Sequence, residues 1–340
     1  MKIVLDAMGS DNHPAPEVQA AAEAARLFGD EILLTGPSET LQPLLAALPG
    51  GAPANVRIVH AGEVLEMGDK PAANARKKAD NSMSVGIHLV KSGEADAFVT
   101  AGNTGGAMAT ALFTLGRIKG VKRPALTGLF PVKGGRCVAL DIGANADCKP
   151  EYLLQFAIMG TVYAEKVLGV KNPRVGLLSN GEEAGKGNQL VKDTYPLLEK
   201  GGLNFIGNIE GKELFGGSAD VAVFDGFTGN ILLKASEAVA KLMTDLLREE
   251  LMRTPVTKIG ALLSKPAFST LKKTLDPGEA GAAPLLGIDG LVFVGHGRSD
   301  ARALVNAIGV ARQAVQSQVL PALRDAIQAR LALLSTQESV

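Results

Sequence analysis

Residues 2–11 read K-I-V-L-D-A-M-G-S-D: an apolar run of strand length that ends in Asp6 and turns at once through Gly9 and Ser10. The same grammar returns five times. It appears as F-V-T-A-G-N-T-G-G (98–106), A-L-D-I-G-A-N (139–145) and G-L-L-S-N-G (176–181). It closes with V-F-D-G-F-T-G-N (223–230) and V-F-V-G-H-G-R-S-D (292–300). Open α/β sheets bind ligands in the crevice beyond the carboxyl ends of their strands. Six strand ends rich in Gly, Asn, Asp, Ser and Thr therefore predict one composite site for a polar, anionic ligand.

Working outward, strand-like runs at 2–6, 31–35, 56–60, 95–100, 124–131, 136–142, 173–179, 203–209, 220–224 and 291–295 alternate with Ala-rich helical runs. The helical runs cover 15–28, 38–48, 71–92, 105–117, 150–168, 187–200, 229–253 and 299–318. Pro71 and Pro150 stand where a first helical turn tolerates proline, and Ser38 precedes Glu39 as a helix start should. Alternation of this kind implies an α/β protein of three layers, α/β/α, with a mainly parallel sheet covered on both faces. We expect one catalytic domain over 1–330, in one or two lobes, and a short polar tail at 331–340.

Residues 238–275 break the rhythm. A long helical pattern stops at Thr254-Pro255, and a second follows, I-G-A-L-L-S-K-P-A-F-S-T-L-K-K-T-L. Ile259, Leu262, Leu263 and Phe268 recur at helical spacing. Lys and Arg at 248, 253, 258, 265, 272 and 273 outnumber the two acidic residues, 249 and 250. An apolar face flanked by basic residues suits an anionic membrane surface. It suits equally a helical hairpin packed on a second copy of the chain.

Bulk composition excludes several classes. The 340 residues carry 35 basic and 35 acidic side chains, aromatics are 4% and Trp is absent. A nucleic-acid binder would show a basic excess and stacking aromatics. Cys137 and Cys148 form neither a disulfide framework nor a zinc spacing. Asp6 cuts the first apolar run too short for a signal peptide. Residues 97–116 are uncharged, yet Asn103 and the glycines around it read as strand, loop and helix rather than a membrane span. A soluble, cytoplasmic protein is expected.

Glycine turns that open helices expose backbone N–H groups to an anion. Gly105 and Gly106 are placed for this, as are Gly229 and Asn230 before the helix near Ile231. There is no G-x-x-x-x-G-K-[ST], no dinucleotide fingerprint, no G-x-S-x-G elbow and no metal-ligand spacing. Of the four histidines only His296, between Gly295 and Gly297, falls at a strand end with site character. The missing nucleophile is itself informative. A phosphate dianion can attack a carbonyl unaided if the protein holds it and stabilises the oxyanion. Lys70 in M-G-D-K-P and Lys186 in N-G-E-E-A-G-K-G-N are lysines near glycine turns that suit this role.

Taken in order, M-K-I-V-L-D-A-M-G-S-D-x-x-P, A-G-N-T-G-G, L-D-I-G-A-N, L-S-N-G-x-E-x-x-K-G and D-G-F-T-G-N resemble the phosphate:acyl-[acyl carrier protein] acyltransferases, the PlsX family of bacterial phospholipid synthesis. The resemblance runs from residue 1 to about 320. It implies a fold like phosphotransacetylases and isocitrate dehydrogenases, a homodimer, and attack of inorganic phosphate on the thioester of a long-chain acyl-[acyl carrier protein]. It implies neither metal nor nucleotide cofactor, a peripheral membrane location, and hand-over of acyl phosphate to a membrane glycerol-phosphate acyltransferase. Residues in matching motifs are Asp6, Gly9, Ser10, Asn103, Gly105, Gly106, Asn145, Asn180, Lys186, Asp225, Gly229 and Asn230. Lys186 and Asn230 are expected to touch carbonyl or phosphate. Asp6 and Asp225 are expected to organise loops, since a bare carboxylate repels phosphate. A phosphotransacetylase using acyl-CoA and a non-catalytic carrier-protein scaffold at the membrane remain the alternatives.

Overall fold

The computed structural model describes residues 1–65, 80–275 and 277–337. Lys70 and residues 71–79 of the expected 71–92 helix lie outside the described residues. The chain begins β1 (Lys2–Asp6), α1 (Ala15–Phe28), β2 (Glu31–Gly36), α2 (Ser38–Ala46), β3 (Val56–His60), α3 (Ser82–Lys91), β4 (Ala97–Thr100) and α4 (Thr104–Thr114). It continues through β5 (Ala125–Val132), β6 (Gly135–Leu140), α5 (Pro150–Lys166), β7 (Val175–Leu178), α6 (Gln189–Glu199), β8 (Phe205–Ile209), α7 (Gly211–Gly216) and β9 (Val221–Val223). Then come α8 (Gly226–Leu251), α9 (Pro255–Leu263), α10 (Lys265–Leu275), α11 (Pro277–Ala280), β10 (Ala283–Leu286), β11 (Val292–Val294), α12 (Ala301–Gln316) and α13 (Val319–Gln337).

The strands form an 11-stranded sheet in the order β3-β2-β1-β4-β11-β10-β5-β6-β9-β7-β8. Most neighbours are parallel, but β10–β11, β10–β5 and β5–β6 are antiparallel. The sheet is thus two parallel blocks of opposite strand direction, joined through β10 and β5. Sequence reading missed β10 because Pro284 sits inside it, and proline argues against a central strand. Pro284 faces Phe293 of β11 in the register.

The strands are buried on both faces, and successive side chains enter opposite cores, as a doubly covered sheet requires. Ile3 and Leu5 join one core with α1, α5 and α12 residues such as Val18, Phe156 and Leu304. Val4 joins the other with Met83, Ile87 and Ala107 from α3 and α4. Helices therefore flank both faces, as the alternation predicts.

α8 begins three residues ahead of the helical run expected over 229–253. It starts at Gly226 because the Asp225 side chain caps it, accepting the Thr228 N–H, and its 26 residues make a rod about 39 Å long. Only Gly226 and Gly229 of it are buried. Farther along, Leu242, Met243 and Leu246 are exposed, and beyond the Thr254 cap so are Ile259, Leu262 (70%) and Leu263 (77%). Phe268 is only half-buried and does not share their full exposure. No described helix is long and apolar enough to cross a membrane. At the other end of the chain, α13 continues to Gln337, past the expected start of a tail at 331.

Candidate active site

The six strand-end loops fall into two laced sets, one in each block of the sheet. In the first, Asp6 ends β1 fully buried and accepts the Met8 N–H at 3.1 Å and the Thr100 hydroxyl at 2.7 Å. Thr100 Oγ1 in turn accepts the Gly102 N–H at 2.9 Å. Gly9 fits only because it lacks a Cβ, which would stand 2.9 Å from Gly102 N. The third loop is tied on by Gly295 N–H to Thr100 O and Asp11 N–H to Gly297 O, both 2.7 Å. Glu17, one turn into α1, receives the Ser10 N–H at 2.8 Å. Burial pushes the Asp6 and Glu17 carboxyls above the ordinary range.

This packing corrects the expected role of several residues. Ser10 is sealed from solvent, so it braces the loop and does not touch ligand from its surface; Asp6, sealed as well, sits where a loop organiser would. The Gly106 N–H is not free for an anion, because Asn103 Oδ1 accepts it at 2.9 Å as the cap of α4. Gly105, beside it, is half-buried.

The second set hangs on a residue that sequence reading passed over. Asp141, fully buried after β6, accepts N–H groups from Leu126, Gly143, Ala144 and Asn145, and the Asn145 side-chain amide, all at 2.7–3.1 Å. Five donors on one carboxylate fold residues 143–145 into a nest, although burial still leaves its pKa raised. The motif L-D-I-G-A-N was visible in the sequence, but nothing in it said which residue the donors would face. Asn145 also bonds Pro124 O, so its amide is structural. Asn145 O receives the Gly226 N–H at 2.8 Å, which seats the nest on the first turn of α8. Gly229 is pressed so close to Asp141 O that a Cβ has no room.

Asp225 places its two oxygens on the Thr228 N–H and hydroxyl, at 2.9 and 2.8 Å. It organises the turn. One turn on, Asn230 is exposed and stands beside Gly143. After β7, Asn180 Oδ1 accepts the Gly187 N–H at 2.9 Å and closes the loop that carries Lys186. Asn208 braces that loop from below through Glu183 O, at 2.8 Å. Lys186 is exposed. Neither its ammonium nor the Asn230 amide bonds another described residue, so both are presented outward.

Three cavities mark the surroundings. A cleft of about 610 Å³ is walled by Leu129, Phe130, Ile142, Leu233, Val239 and Met243, with His296 and Glu237 as polar lining. Ile142 follows β6 and His296 follows β11, so this cleft lies between the two sets of loops. A polar cavity of about 490 Å³ adjoins it, sharing His296 and reaching Lys241, Arg298 and Arg302. A third, about 360 Å³, is bounded by Asn180, Gly187, Asp225 and Thr228 over apolar side chains. The loops thus frame neighbouring spaces rather than a single point.

Among the described residues one carboxylate group has metal-ligand proximity, Glu182, Glu210 and Glu213. Lys212 lies within 2.8–3.4 Å of all three and so places a cation among them. Burial pushes the Cys148 thiol to about 12, far from a nucleophile's range.

The model of a family described as "Fatty acid synthesis protein" matches residues 1–321. The phosphate acyltransferase of Pelotomaculum thermopropionicum is 48% identical over 328 residues, 96% of this chain and 95% of that protein. That of Geotalea uraniireducens is 44% identical over 99% of this chain and 97% of its own. The chain belongs to the phosphate acyltransferase family. The fold is shared more widely. A phosphotransacetylase from Streptococcus pyogenes superposes with TM-score 0.63 at 20% identity, covering 93% of this chain and 94% of that one. A 4-hydroxythreonine-4-phosphate dehydrogenase from Klebsiella pneumoniae gives TM-score 0.52 at 16% identity, covering 93% of this chain and 99% of its own. In this phosphate acyltransferase, then, the architecture is common to several chemistries, and the whole-chain kinship with phosphate acyltransferases singles out one of them.

Proposed function

We propose that this phosphate acyltransferase moves a long-chain acyl group from the thioester of acyl-[acyl carrier protein] to inorganic phosphate. The observation that carries the residue assignment is the outward presentation of Lys186 and Asn230 from two braced loops. A phosphate oxygen attacks the thioester carbonyl and forms the new C–O bond. The carbonyl electrons move to oxygen, where the Lys186 ammonium and the Asn230 amide stabilise the developing negative charge. Collapse breaks the C–S bond and releases the carrier thiolate, which takes a proton from water. Lys186 also serves as a point charge for the phosphate. The cleft walled by Leu129, Phe130, Val239 and Met243 suits an acyl chain, and the adjoining polar cavity suits the arm that delivers it.

The exposed apolar run from Leu242 to Leu263 supports two further readings: a homodimer along α8, and peripheral contact with an anionic membrane at α9 through Ile259, Leu262 and Leu263. In that setting the acyl phosphate passes directly to a membrane glycerol-phosphate acyltransferase. The test is to incubate the protein with phosphate and either acyl-[acyl carrier protein] or acyl-CoA. Acyl phosphate should form efficiently from the carrier-bound donor. Comparable release of CoA thiol would favour phosphotransacetylase chemistry instead.

A further inference from the structure

Glu17 has no part in the chemistry above, yet it is 0% exposed in the first turn of α1. Its Oε1 accepts the Ser10 N–H at 2.8 Å. Its Oε2 has no hydrogen-bond partner, and neither has Ser10 Oγ, which is buried beside it. No described cation pairs with it. The charges on the elements packed against α1 are engaged elsewhere: Arg302 with Glu279, Arg312 with Asp30, Glu31 with Lys2 and Arg57, and Glu39 with His60. Burial is what chiefly raises the Glu17 carboxyl, and Asp6, a second buried carboxyl of like charge, adds to it. Two such neighbours do not both ionise readily.

Donor count decides which one is charged. Asp6 accepts two hydrogen bonds, from the Met8 N–H and the Thr100 hydroxyl, and His13 adds a favourable field. Glu17 has the Ser10 N–H and one bare oxygen. We propose that Glu17 is a positioning residue for acyl transfer: as an uncharged acid it donates its Oε2 proton to Ser10 Oγ and thereby clasps the first set of loops. The clasp matters because of where Ser10 sits. On one side Gly9 is wedged against Gly102, and on the other Asp11 holds Gly297. One hydrogen-bonded residue therefore fixes the mutual placement of the loops after β1, β4 and β11, including the one that carries His296.

Ionising Glu17 removes the donated proton and sets a second negative charge beside Asp6. The clasp then loosens as pH rises, since a raised pKa means the neutral form persists from acid pH and is lost on the alkaline side. The proposal rests on the acyl-transfer reading only for its kinetic readout. Infrared spectroscopy of the protein without substrate should show the carbonyl band of a protonated carboxylic acid at neutral pH, absent from Glu17→Gln. In kinetics, Glu17→Gln should keep KM for phosphate within about twofold of wild type and lose part of wild type's alkaline decline. Glu17→Ala should raise that KM about tenfold with a smaller effect on kcat. If Glu17→Ala does not fold, the glutamine variant and the infrared band decide alone. A missing band, a glutamine variant that folds but is as impaired as alanine, or one that keeps the full alkaline decline would overturn the proposal.

Discussion

The two sets of loops are built on the same device and turned to different ends. Each begins where a strand delivers a fully buried aspartate, Asp6 in one block and Asp141 in the other. Around Asp6 the loops close on themselves: Gly9, Ser10 and Gly106 are buried, and the Gly106 N–H is already bonded. Around Asp141 the nest supports a helix start that pushes Asn230 out, and the neighbouring loop pushes out Lys186. The lesson is that a glycine-rich strand end is not by itself a ligand site. It becomes one where the brace is internal and a side chain with spare donors is left facing outward.

Substitutions can break this contrast. The largest effect is expected in the second set: Lys186→Ala or Asn230→Ala should each lower acyl-phosphate formation about 10²–10³-fold, with an unchanged thermal melt. Intact activity in both would move the reacting groups elsewhere. Next, Asp141→Ala orphans five buried donors and should destabilise the protein by about 3 kcal/mol or more, read from urea unfolding. Asp6→Ala, which frees fewer donors, should cost less; the reverse order would undo the parallel drawn between the two aspartates. Replacing Leu262 and Leu263 together by Glu should weaken binding to anionic vesicles about tenfold or more while sparing turnover of soluble substrate. Unchanged vesicle binding would return that face to contact between protein copies. Smallest of all, Cys148→Ser should leave the rate within about twofold, because a thiol held near 12 is almost wholly protonated at neutral pH.

Much of this was legible in the chain. Apolar strand runs alternating with Ala-rich helical runs pointed to the layered α/β form, since strands buried on both faces must be apolar throughout. The reversal between the two blocks was not legible, because it depends on β10, a four-residue strand with a proline in it. The site was readable as a list of loops and unreadable as a division of labour. Ser10 and Asn145 have the residue types of ligands and sit as braces, a distinction that burial and donor geometry decide and spacing does not. Asp141 and Glu17 went unnoticed because a carboxylate that serves backbone N–H groups has no sequence signature of its own.

α8 has one more consequence. From Ile231 to Leu251 it contains neither glycine nor proline, so nothing in its interior favours a bend. Its first turn is clamped beneath the Asp141 nest, and its far end leads into the surface hairpin about 30 Å away. Such a rod transmits displacement instead of absorbing it. Whatever seats the hairpin therefore fixes the bearing of Asn230 as well, and a push at the outer end arrives as a tilt of the residue expected to meet the thioester.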